Sequence, residues 1–289
     1  MKILLLSRKP GLYSTRRLRE SARKFGHEIQ VADPLTCVIR VGEAGLSVFR
    51  HNKPLRKVDV VIPRIGTYGM AYALGVVRQF ELSGVPVVNG WEAIARSKDK
   101  LATLQILARN GYPVPETVVT RFPRNLDDLI ETLGGTPLIL KLPRGTQGMG
   151  VIKADSREAV ESVLDTLWSL GEDLLLQKFI AEAGGKDIRA FVIGDRVVGA
   201  MRRQARAGDF RSNIHRGGVG EKVTLPRGIA ELAVAATRCL GLRIAGVDLL
   251  ESHRGPLLLE VNASPGFQGL EEATGIDIAG KIIEYSAWM

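Results

Sequence analysis

The sequence has no hydrophobic run approaching the roughly 20 residues that a membrane-spanning helix needs. Its only two cysteines, Cys37 and Cys239, are spaced like neither a metal-binding motif nor a disulfide framework. Aromatic residues make up only 6% of the chain and are not interleaved with a basic run, which disfavours a stacking platform for single-stranded nucleic acid. These scarcities predict a reduced, soluble protein of the cytoplasm that has no membrane partner.

Two common nucleotide-binding motifs are also missing. No Gly-x-Gly-x-x-Gly follows the first predicted strand, so we do not expect a dinucleotide site there. The glycine-rich segment 145–150 leads into a predicted strand and not a helix, which excludes a P-loop of the Walker type. The opening segment 1–8 has an apolar core too short for a secretory signal, and it is typical of a buried first strand.

Length and charge narrow the class of protein further. The 289 residues exceed what one simple core holds, so two or three domains are expected. An apolar content of 45% and a charged content of 25% are typical of a globular protein. The net charge of +9 attracts anions such as nucleotides, nucleic acids or acidic peptides, but it does not select among them.

The periodicity of apolar residues predicts three modules. The first is a mostly parallel α/β unit with strands at 2–6, 28–33, 58–63 and 86–89 and helices at 14–25 and 68–83. An amphipathic helix at 97–110 opens the second, which has strands at 117–120, 138–142, 150–154 and 174–177 and helices at 126–133 and 156–169. The third has strands at 188–193 and 196–203, a helix at 226–240, a hairpin and a helical tail from 270. The predicted domains are therefore 1–96, 97–178 and 179–289.

The segment 248–262 predicts a metal site. Apolar runs on both sides of 252–256 indicate an antiparallel hairpin centred near Arg254, which places Asp248 opposite Glu260. Glu260 and Asn262 share a face because strand side chains alternate. Their hard oxygen donors suit Mg²⁺ or Mn²⁺, with phosphate oxygens and water completing the shell. For this segment alone, a solvated hairpin face is the alternative interpretation.

A lysine precedes the glycine-rich loop. Lys141 ends an apolar strand, and Gly145, Gly148 and Gly150 would let backbone N–H groups approach an anion closely. Lys141 would then direct its charge at phosphate oxygens. An ordinary glycine hairpin with an exposed lysine explains the segment equally well when it is taken alone.

Two later segments carry groups that suit a nucleotide. The strand near 174–180 could present its backbone to an adenine edge, Asp187 could accept hydrogen bonds from a ribose, and Arg189 could meet phosphate or carboxylate. The segment 201–218 contains five arginines, whose planar forks bind carboxylate and phosphate in a bidentate manner. A plain edge strand and a solvated or nucleic-acid-binding basic face remain the alternatives.

Six motifs occur in order at 61–66, 97–100, 145–150, 208–218, 245–248 and 259–266. With them the sequence resembles the ATP-grasp carboxylate–amine ligases, most closely the branch that adds glutamate to the C-terminus of a ribosomal protein. The resemblance implies α/β and α+β modules in an ATP-grasp fold, preceded by a Rossmann-like pre-ATP-grasp domain. It also implies a homo-oligomer, and ATP bound between the central and C-terminal modules.

The resemblance implies roles for individual residues. The residues that would contact ATP are Lys100, Lys141, Gly145, Gly148, Gln177, Lys178, Phe179, Asp187, Arg189, Arg211, Ser212 and Asn213. Asp248, Glu260 and Asn262 would hold Mg²⁺ or Mn²⁺, as two ions, while Lys141, Arg202 and Arg203 would stabilise charge during phosphoryl transfer. Lys178 departs from the family, which usually has Glu at this hinge position. The change has no effect if only backbone atoms contact adenine, but it leaves the nucleotide preference undetermined if the side chain takes part.

The implied reaction activates a carboxylate with ATP as an acyl phosphate, which an amine then converts to an amide. The expected partners are L-glutamate and the acidic C-terminal tail of a ribosomal protein, and the sequence identifies no general base for the amine. Other acceptors fit the same fold, namely an amino-group carrier protein, a cofactor, or free glutamate that becomes poly-glutamate. A nucleic-acid-binding protein and an inactive ATP-binding scaffold are the rival classes, but the first leaves the Asp248, Glu260 and Asn262 pattern unexplained.

Overall fold

The computed structural model describes residues 1–43, 45–55, 57–121, 125–142, 150–169, 173–206, 209–212 and 217–289. In chain order the strands are β1 (Lys2–Leu6), β2 (Glu28–Ala32), β3 (Cys37–Gly42), β4 (Gly45–Arg50), β5 (Lys53–Pro54), β6 (Val60–Pro63), β7 (Thr117–Thr120), β8 (Leu138–Lys141), β9 (Val151–Ala154), β10 (Leu174–Lys178), β11 (Lys186–Ile193), β12 (Arg196–Gln204), β13 (Val219–Lys222), β14 (Ile244–Ser252) and β15 (Gly255–Asn262). The helices are α1 (Tyr13–Lys24), α2 (Met70–Leu82), α3 (Trp91–Lys98), α4 (Lys100–Arg109), α5 (Leu126–Thr132), α6 (Arg157–Ser169), α7 (Arg227–Cys239), α8 (Gln268–Thr274) and α9 (Ile278–Ala287). Of the helices in these ranges, none combines the length and the apolar composition that a bilayer crossing requires.

The N-terminal unit is built on a parallel sheet in the order β2–β1–β6. This arrangement confirms the predicted strand–helix alternation, with α1 as the crossover that parallel neighbours need. The predicted strand at 86–89 is reduced to one bridge, between Val61 and Val87. An antiparallel meander of β3, β4 and β5 is an element that the sequence did not predict. Most residues of β3 and β5 are exposed, and β4 buries only Val48, so these strands lack the clear apolar alternation that marks a half-buried strand.

The prediction of a single helix at 97–110 is wrong. The chain instead forms α3 and α4, which are separated at Asp99. Asp99 is extended, and its side chain accepts a hydrogen bond from the backbone N–H of Ala102 at 2.9 Å. An aspartate in this position caps the free N–H groups at the start of a helix, so it begins α4 and ends α3. The break leaves Lys98 and Lys100 on different helices.

Two antiparallel sheets follow in the chain. The central sheet has the order β7–β10–β8–β9, and the C-terminal sheet has the order β13–β12–β11–β14–β15. The predicted strands of both modules are confirmed, whereas β13, which is short and mostly exposed, was not predicted. The C-terminal sheet therefore carries the 248–262 hairpin at its edge, next to the long central strands β11 and β12.

The hairpin pairs Asp248 with Glu260, as predicted, but a bulge produces that register. The turn is formed by His253 and Arg254, because Ser252 pairs with Gly255 and Leu249 pairs with Leu258. If this register continued, Asp248 would face Leu259. A β-bulge between the pairs of Leu249 and Asp248 adds Leu259 to β15 as an extra residue. The bulge restores the pairing of Asp248 with Glu260.

Packing separates the central sheet from the rest of the molecule. Leu4 of the N-terminal sheet and Val247 of the C-terminal sheet belong to one apolar core, which also includes Leu107 of α4. The central sheet has a core of its own, formed with α5 and α6. Two bodies with separate cores leave a cleft where the central sheet faces the C-terminal sheet.

Asn89 locks the N-terminal unit onto the C-terminal sheet. Its Nδ2 donates to the carbonyl oxygens of Ile244 and Ala263 at 2.8 and 2.9 Å. Its Oδ1 accepts from the backbone N–H groups of Arg243 and Ile244 at 2.7 and 2.9 Å. Because this buried amide is fully satisfied, the end of β15 has a defined position relative to the N-terminal unit.

Candidate functional site

A cavity of about 710 Å³ occupies the cleft and has walls from all three parts of the chain. Its volume lies within the roughly 300–1,000 Å³ that is usual for sites that bury a small molecule. Ile139 and Val151 form part of the central wall, Met201 and Leu250 part of the C-terminal wall, and Tyr13 part of the N-terminal wall. The site therefore depends on how the three parts are assembled.

One face of the C-terminal sheet supplies the charged groups of the cavity. Residue pairs that lie opposite each other in neighbouring strands point to the same face. Register places Asp187 opposite Arg203, Arg189 opposite Asp248, and Asp248 opposite Glu260. The cavity-lining residues of this face are Asp187, Arg189, Met201, Arg203, Asp248, Leu250, Glu260 and Asn262.

Arg203 is buried between two carboxylates. Its Nε and one terminal nitrogen donate to the two oxygens of Asp187 at 2.6 Å each, and the same terminal nitrogen lies 3.1 Å from Oδ2 of Asp248. The hydroxyl of Ser212 also donates to Asp187, at 2.6 Å. Burial alone would lower the pKa of Arg203, but Asp248 and Asp187 raise it overall, so the guanidinium stays charged.

Arg189 holds Asp248 from the neighbouring strand. Its Nε donates to Oδ1 at 2.6 Å, and a terminal nitrogen donates to Oδ2 at 2.5 Å. Burial alone would raise the pKa of Asp248, but the Arg189 and Arg203 guanidiniums reverse that effect and lower it. Asp248 is therefore an ionised carboxylate with guanidinium contacts on both oxygens.

Glu260 is differently placed, because it accepts no hydrogen bond from any residue in the described part of the chain. Its charge instead acts on the ammonium groups of Lys98 and Lys141. Asn262 donates Nδ2 to the carbonyl of Gly246 at 3.4 Å, which leaves its amide oxygen for a ligand.

The donor set of Asp248, Glu260 and Asn262 fits a hard divalent cation in type and register. No group of three His, Cys, Asp or Glu side chains in the described ranges is arranged to hold a metal by itself. The amide of Asn262 and oxygens from a bound phosphate would therefore complete the shell. Oδ1 of Asp248 accepts one hydrogen bond, from Arg189, so it keeps acceptor capacity for a metal, although the two guanidiniums compete with a cation for the same carboxylate.

Lys141 faces the C-terminal sheet from the end of β8. Its Nζ donates to Oε1 of Gln177 at 2.6 Å, and Gln177 in turn donates to the hydroxyl of Thr117 at 2.8 Å. Burial lowers the pKa of Lys141 to about 8, with an opposing influence from Glu260 and a further lowering by Lys100. Gln177, which was predicted to lie at the adenine hinge, therefore positions the side chain of Lys141.

The hinge region forms the outer part of the central wall. The backbone N–H of Lys178 donates to the carbonyl of Glu116 at 2.9 Å, and the side chain of Lys178 is exposed. The ring of Phe179 lies 5.0 Å from Nζ of Lys153. Both Lys178 and Phe179 line the cavity.

Most of the predicted site residues are brought together by the fold. Those that line the cavity are Lys100, Lys141, Gln177, Lys178, Phe179, Asp187, Arg189, Arg203, Arg211, Ser212, Asp248, Glu260 and Asn262. Gly145, Gly148 and Asn213 lie outside the described residues.

The position of Arg202 differs from the expectation that it acts beside Arg203. Neighbours in a strand point to opposite faces, so Arg202 lies on the far side of β12 from the cavity. There it forms an ion pair with Glu251 at 3.1 Å, in which both side chains are substantially exposed.

Three cavity cations, Arg64, Lys98 and Lys186, were not predicted from the sequence, and the first two lie in the quoted motifs. Arg64 follows β6 directly, and Lys98 ends α3. Within those motifs, only Lys100 was assigned a role. The motifs were the available signal, but only the docking of the N-terminal unit places the side chains of Arg64 and Lys98 in the cavity.

Comparisons with known proteins agree with this architecture. Two family models match, the RimK PreATP-grasp domain over residues 1–94 and the RimK-like ATP-grasp domain over residues 97–286. A protein of Picosynechococcus sp. named "Probable alpha-L-glutamate ligase" is 48% identical over 285 residues, which cover 99% of this chain and 95% of that protein.

Solved structures share the fold at lower identity. The ATP-grasp ligase PsnB complexed with a minimal precursor has a TM-score of 0.79 and 24% identity, and the match covers 99% of this chain and 98% of that chain. PsnB complexed with a phosphomimetic variant of the precursor, Mg and ADP has a TM-score of 0.76 and 22% identity, with coverage of 99% and 97%.

Proposed function

The chain belongs to the RimK-like ATP-grasp family of ATP-dependent ligases, and we propose that it joins L-glutamate to the carboxyl end of an acidic protein tail. The predicted fold, with an ATP-grasp module after a pre-ATP-grasp domain, is confirmed. The observation that carries the proposal is the cavity face on which Asp248, Glu260 and Asn262 lie opposite Lys141 of the central sheet. This arrangement combines a cation for phosphate with oxygen donors for a metal.

ATP is the substrate that this cleft suits. In the proposed complex Lys141, held by Gln177, binds phosphate oxygens, and the hinge at Lys178 and Phe179 lies beside the base. Arg203 stays charged between Asp187 and Asp248, so it adds a positive group whose position changes little during phosphoryl transfer. Positioned cations of this kind stabilise the charge that develops on the transferred phosphoryl group.

Mg²⁺ or Mn²⁺ would be held by Asp248, Glu260 and Asn262. When bound, such a metal neutralises phosphoryl oxygens and so favours attack on the γ-phosphorus. The PsnB complex contains Mg and ADP, and that likeness supports the choice of cation. Because Glu260 has no hydrogen-bond donor within the described ranges, its carboxylate can bind metal without breaking a contact.

The proposed chemistry has two steps. A carboxylate oxygen of the acceptor attacks the γ-phosphorus of ATP, and the bond to the β-phosphate oxygen breaks to release ADP. The amine of L-glutamate then attacks the acyl carbon, phosphate leaves, and the amine loses a proton to give the amide. The acceptor is proposed to be the acidic C-terminal tail of a ribosomal protein.

Two observations support an acidic acceptor. The chain carries a net charge of +9, and the cavity contains several lysine and arginine side chains. The Picosynechococcus relative is named for glutamate, which supports the identity of the added amino acid. Another acceptor is the second candidate, since PsnB was solved with a peptide precursor on the same fold.

The test is to incubate the protein with ATP, Mg²⁺, L-glutamate and a peptide that ends in several glutamates. ADP release and mass spectrometry of the peptide are followed together, and a C-terminally amidated copy of the peptide is the matched control. We expect glutamyl additions to the free-acid peptide and none to the amidated one. Poly-glutamate without any peptide would instead assign free glutamate as acceptor, and absence of ADP release in every mixture would contradict the proposal.

A further inference from the structure

Arg64 reaches the cavity from the N-terminal unit. It follows β6, and the carboxyl ends of parallel strands are where open α/β sheets present ligand-binding groups. A terminal nitrogen of its guanidinium donates to the carbonyl of Pro265 at 2.6 Å. The Cζ atom lies 5.7 Å from the ring centroid of Phe267, so the guanidinium is anchored at two points.

The charge of Arg64 has no acidic partner in the described part of the chain. Among the described residues, no carboxylate lies within ion-pair distance of its guanidinium, and burial lowers the pKa of Arg64 to about 10. Within the ranges that the structure describes, this half-buried guanidinium meets the Pro265 carbonyl and the Phe267 ring but no carboxylate, so part of its desolvation cost is not offset. An anion from outside the protein would offset that cost.

Lys98 adds a second cation on the same side. Its ammonium group forms no hydrogen bond or ion pair with residues in the described ranges. Burial lowers its pKa, Glu260 opposes that effect, and the charges of Arg64 and Lys100 lower it further. Arg64 and Lys98 therefore repel each other, and Glu260 is the acidic side chain that acts on Lys98.

This inference rests on the proposed function, and it names the site that receives the acid. We propose that Arg64 and Lys98 form a subsite that holds a carboxylate of the acidic substrate against the N-terminal wall of the cavity. The guanidinium fork matches a carboxylate in a bidentate manner, and the anchors at Pro265 and Phe267 set its plane. Lys141 of the central sheet remains the cation for the nucleotide phosphates.

The carboxylate can come from free L-glutamate or from the C-terminus of the acceptor. Both present the same chemical group, so binding measurements with each compound are needed to distinguish them. Glutarate serves as a third probe because it is a dicarboxylate that has no amine and cannot be ligated.

The experiment compares the wild type with Arg64→Gln and Arg64→Lys by calorimetric titration of glutarate, L-glutamate and the acidic peptide, with ADP and Mg²⁺ present. Gln keeps a donor for Pro265 but removes the charge, and Lys keeps the charge but removes the fork. We expect Arg64→Gln to weaken carboxylate binding by about 10- to 100-fold, and Arg64→Lys to lie between it and the wild type. The compound that loses affinity identifies the source.

Arg78→Gln is the matched control. Arg78 is another arginine of the N-terminal unit, and its Cζ lies 5.2 Å from the ring centroid of Trp91, but it is exposed and does not line the cavity. It should leave carboxylate binding unchanged. Thermal unfolding of each variant shows that the fold is retained.

Three outcomes would overturn the subsite. Equal carboxylate affinity in wild type and Arg64→Gln would remove Arg64 from it, and a wild type that binds none of the three probes would remove the subsite altogether. Loss of ADP affinity by the same factor would assign the anion to the nucleotide. Binding of glutarate requires no turnover. A wild type without ligase activity would therefore contradict the proposed function, but the binding data would still test the subsite.

Discussion

Arg189 holds both carboxylate oxygens of Asp248, at 2.6 and 2.5 Å, from the strand directly beside it. Arg203 contacts the same carboxylate at 3.1 Å, so two guanidiniums surround one proposed metal ligand. The protein thus carries its own counter-ions where a divalent cation would bind. This relationship gives Asp248 and Glu260 different roles although they lie opposite each other.

Arg189→Met should tighten Mn²⁺ binding by the nucleotide-free protein by about tenfold, because it removes a charged donor that competes for Asp248. Electron paramagnetic resonance of free Mn²⁺ measures the affinity directly. Arg202→Met is the control, since Arg202 lies on the opposite face and pairs with Glu251. Unchanged or weaker binding in Arg189→Met would show that Arg189 does not compete with the metal.

Asp248→Asn should lower the free energy of unfolding by about 3–5 kcal/mol, because it removes the carboxylate partner of half-buried Arg189 and one of the two carboxylate partners of buried Arg203. Urea unfolding at neutral pH measures the change. Glu251→Gln breaks an exposed pair and should cost at most about 1 kcal/mol. Since the pKa of Asp248 is lowered in the folded state, its contribution is present above the ordinary aspartate range. The difference between wild type and Asp248→Asn should therefore shrink as pH falls through the folded pKa, and a constant difference would contradict this assignment.

Glu260→Gln should reduce ADP formation by at least about 100-fold while it leaves the fold intact. The carboxylate has no hydrogen-bond donor in the described part of the chain, so its removal breaks no hydrogen bond there, although it takes a counter-charge from Lys98 and Lys141. Steady-state ADP release and thermal unfolding are measured on the same preparation. Activity close to that of the wild type would contradict the assignment of Glu260 as a metal ligand. A large loss of stability would instead show that Glu260 has a structural role.

The affinity for ADP in the absence of metal should fall as pH rises above about 8, because Lys141 then loses the charge that binds phosphate. Phosphate favours the charged form, so the affinity should decline by up to about tenfold per pH unit until the pKa of the complex is reached. Lys141→Arg should flatten this profile, since arginine stays protonated in this range. Fluorescence titration across pH 7–10 tests both proteins, and identical profiles would exclude Lys141 as the titrating group.

Local pattern was sufficient for much of the candidate site. Strand alternation alone predicts that Glu260 and Asn262 share a face, and the apolar run before Lys141 predicts a strand that ends at that lysine. The same alternation separates Arg202 from Arg203 once 196–203 is recognised as a strand, so that error was avoidable. The pairing of Asp248 with Glu260 was right in its result, although the bulge at Leu259 could not be read from the sequence.

By itself the sequence determined the order of strands and helices, the family of the chain and the oxygen donors of the proposed metal site, because these depend on short-range periodicity and on motifs. Only the tertiary structure decided which charges meet. Arg189 and Asp248 are separated by 59 positions, and their contact depends on the register between β11 and β14. Arg64 enters the cavity because Asn89 docks the N-terminal unit onto β14 and the end of β15. Long-range packing of this kind leaves no periodic signal in the chain. The charge pairing of Asp248, and the lack of a carboxylate partner for Arg64 among the described residues, therefore emerged only from the assembled fold.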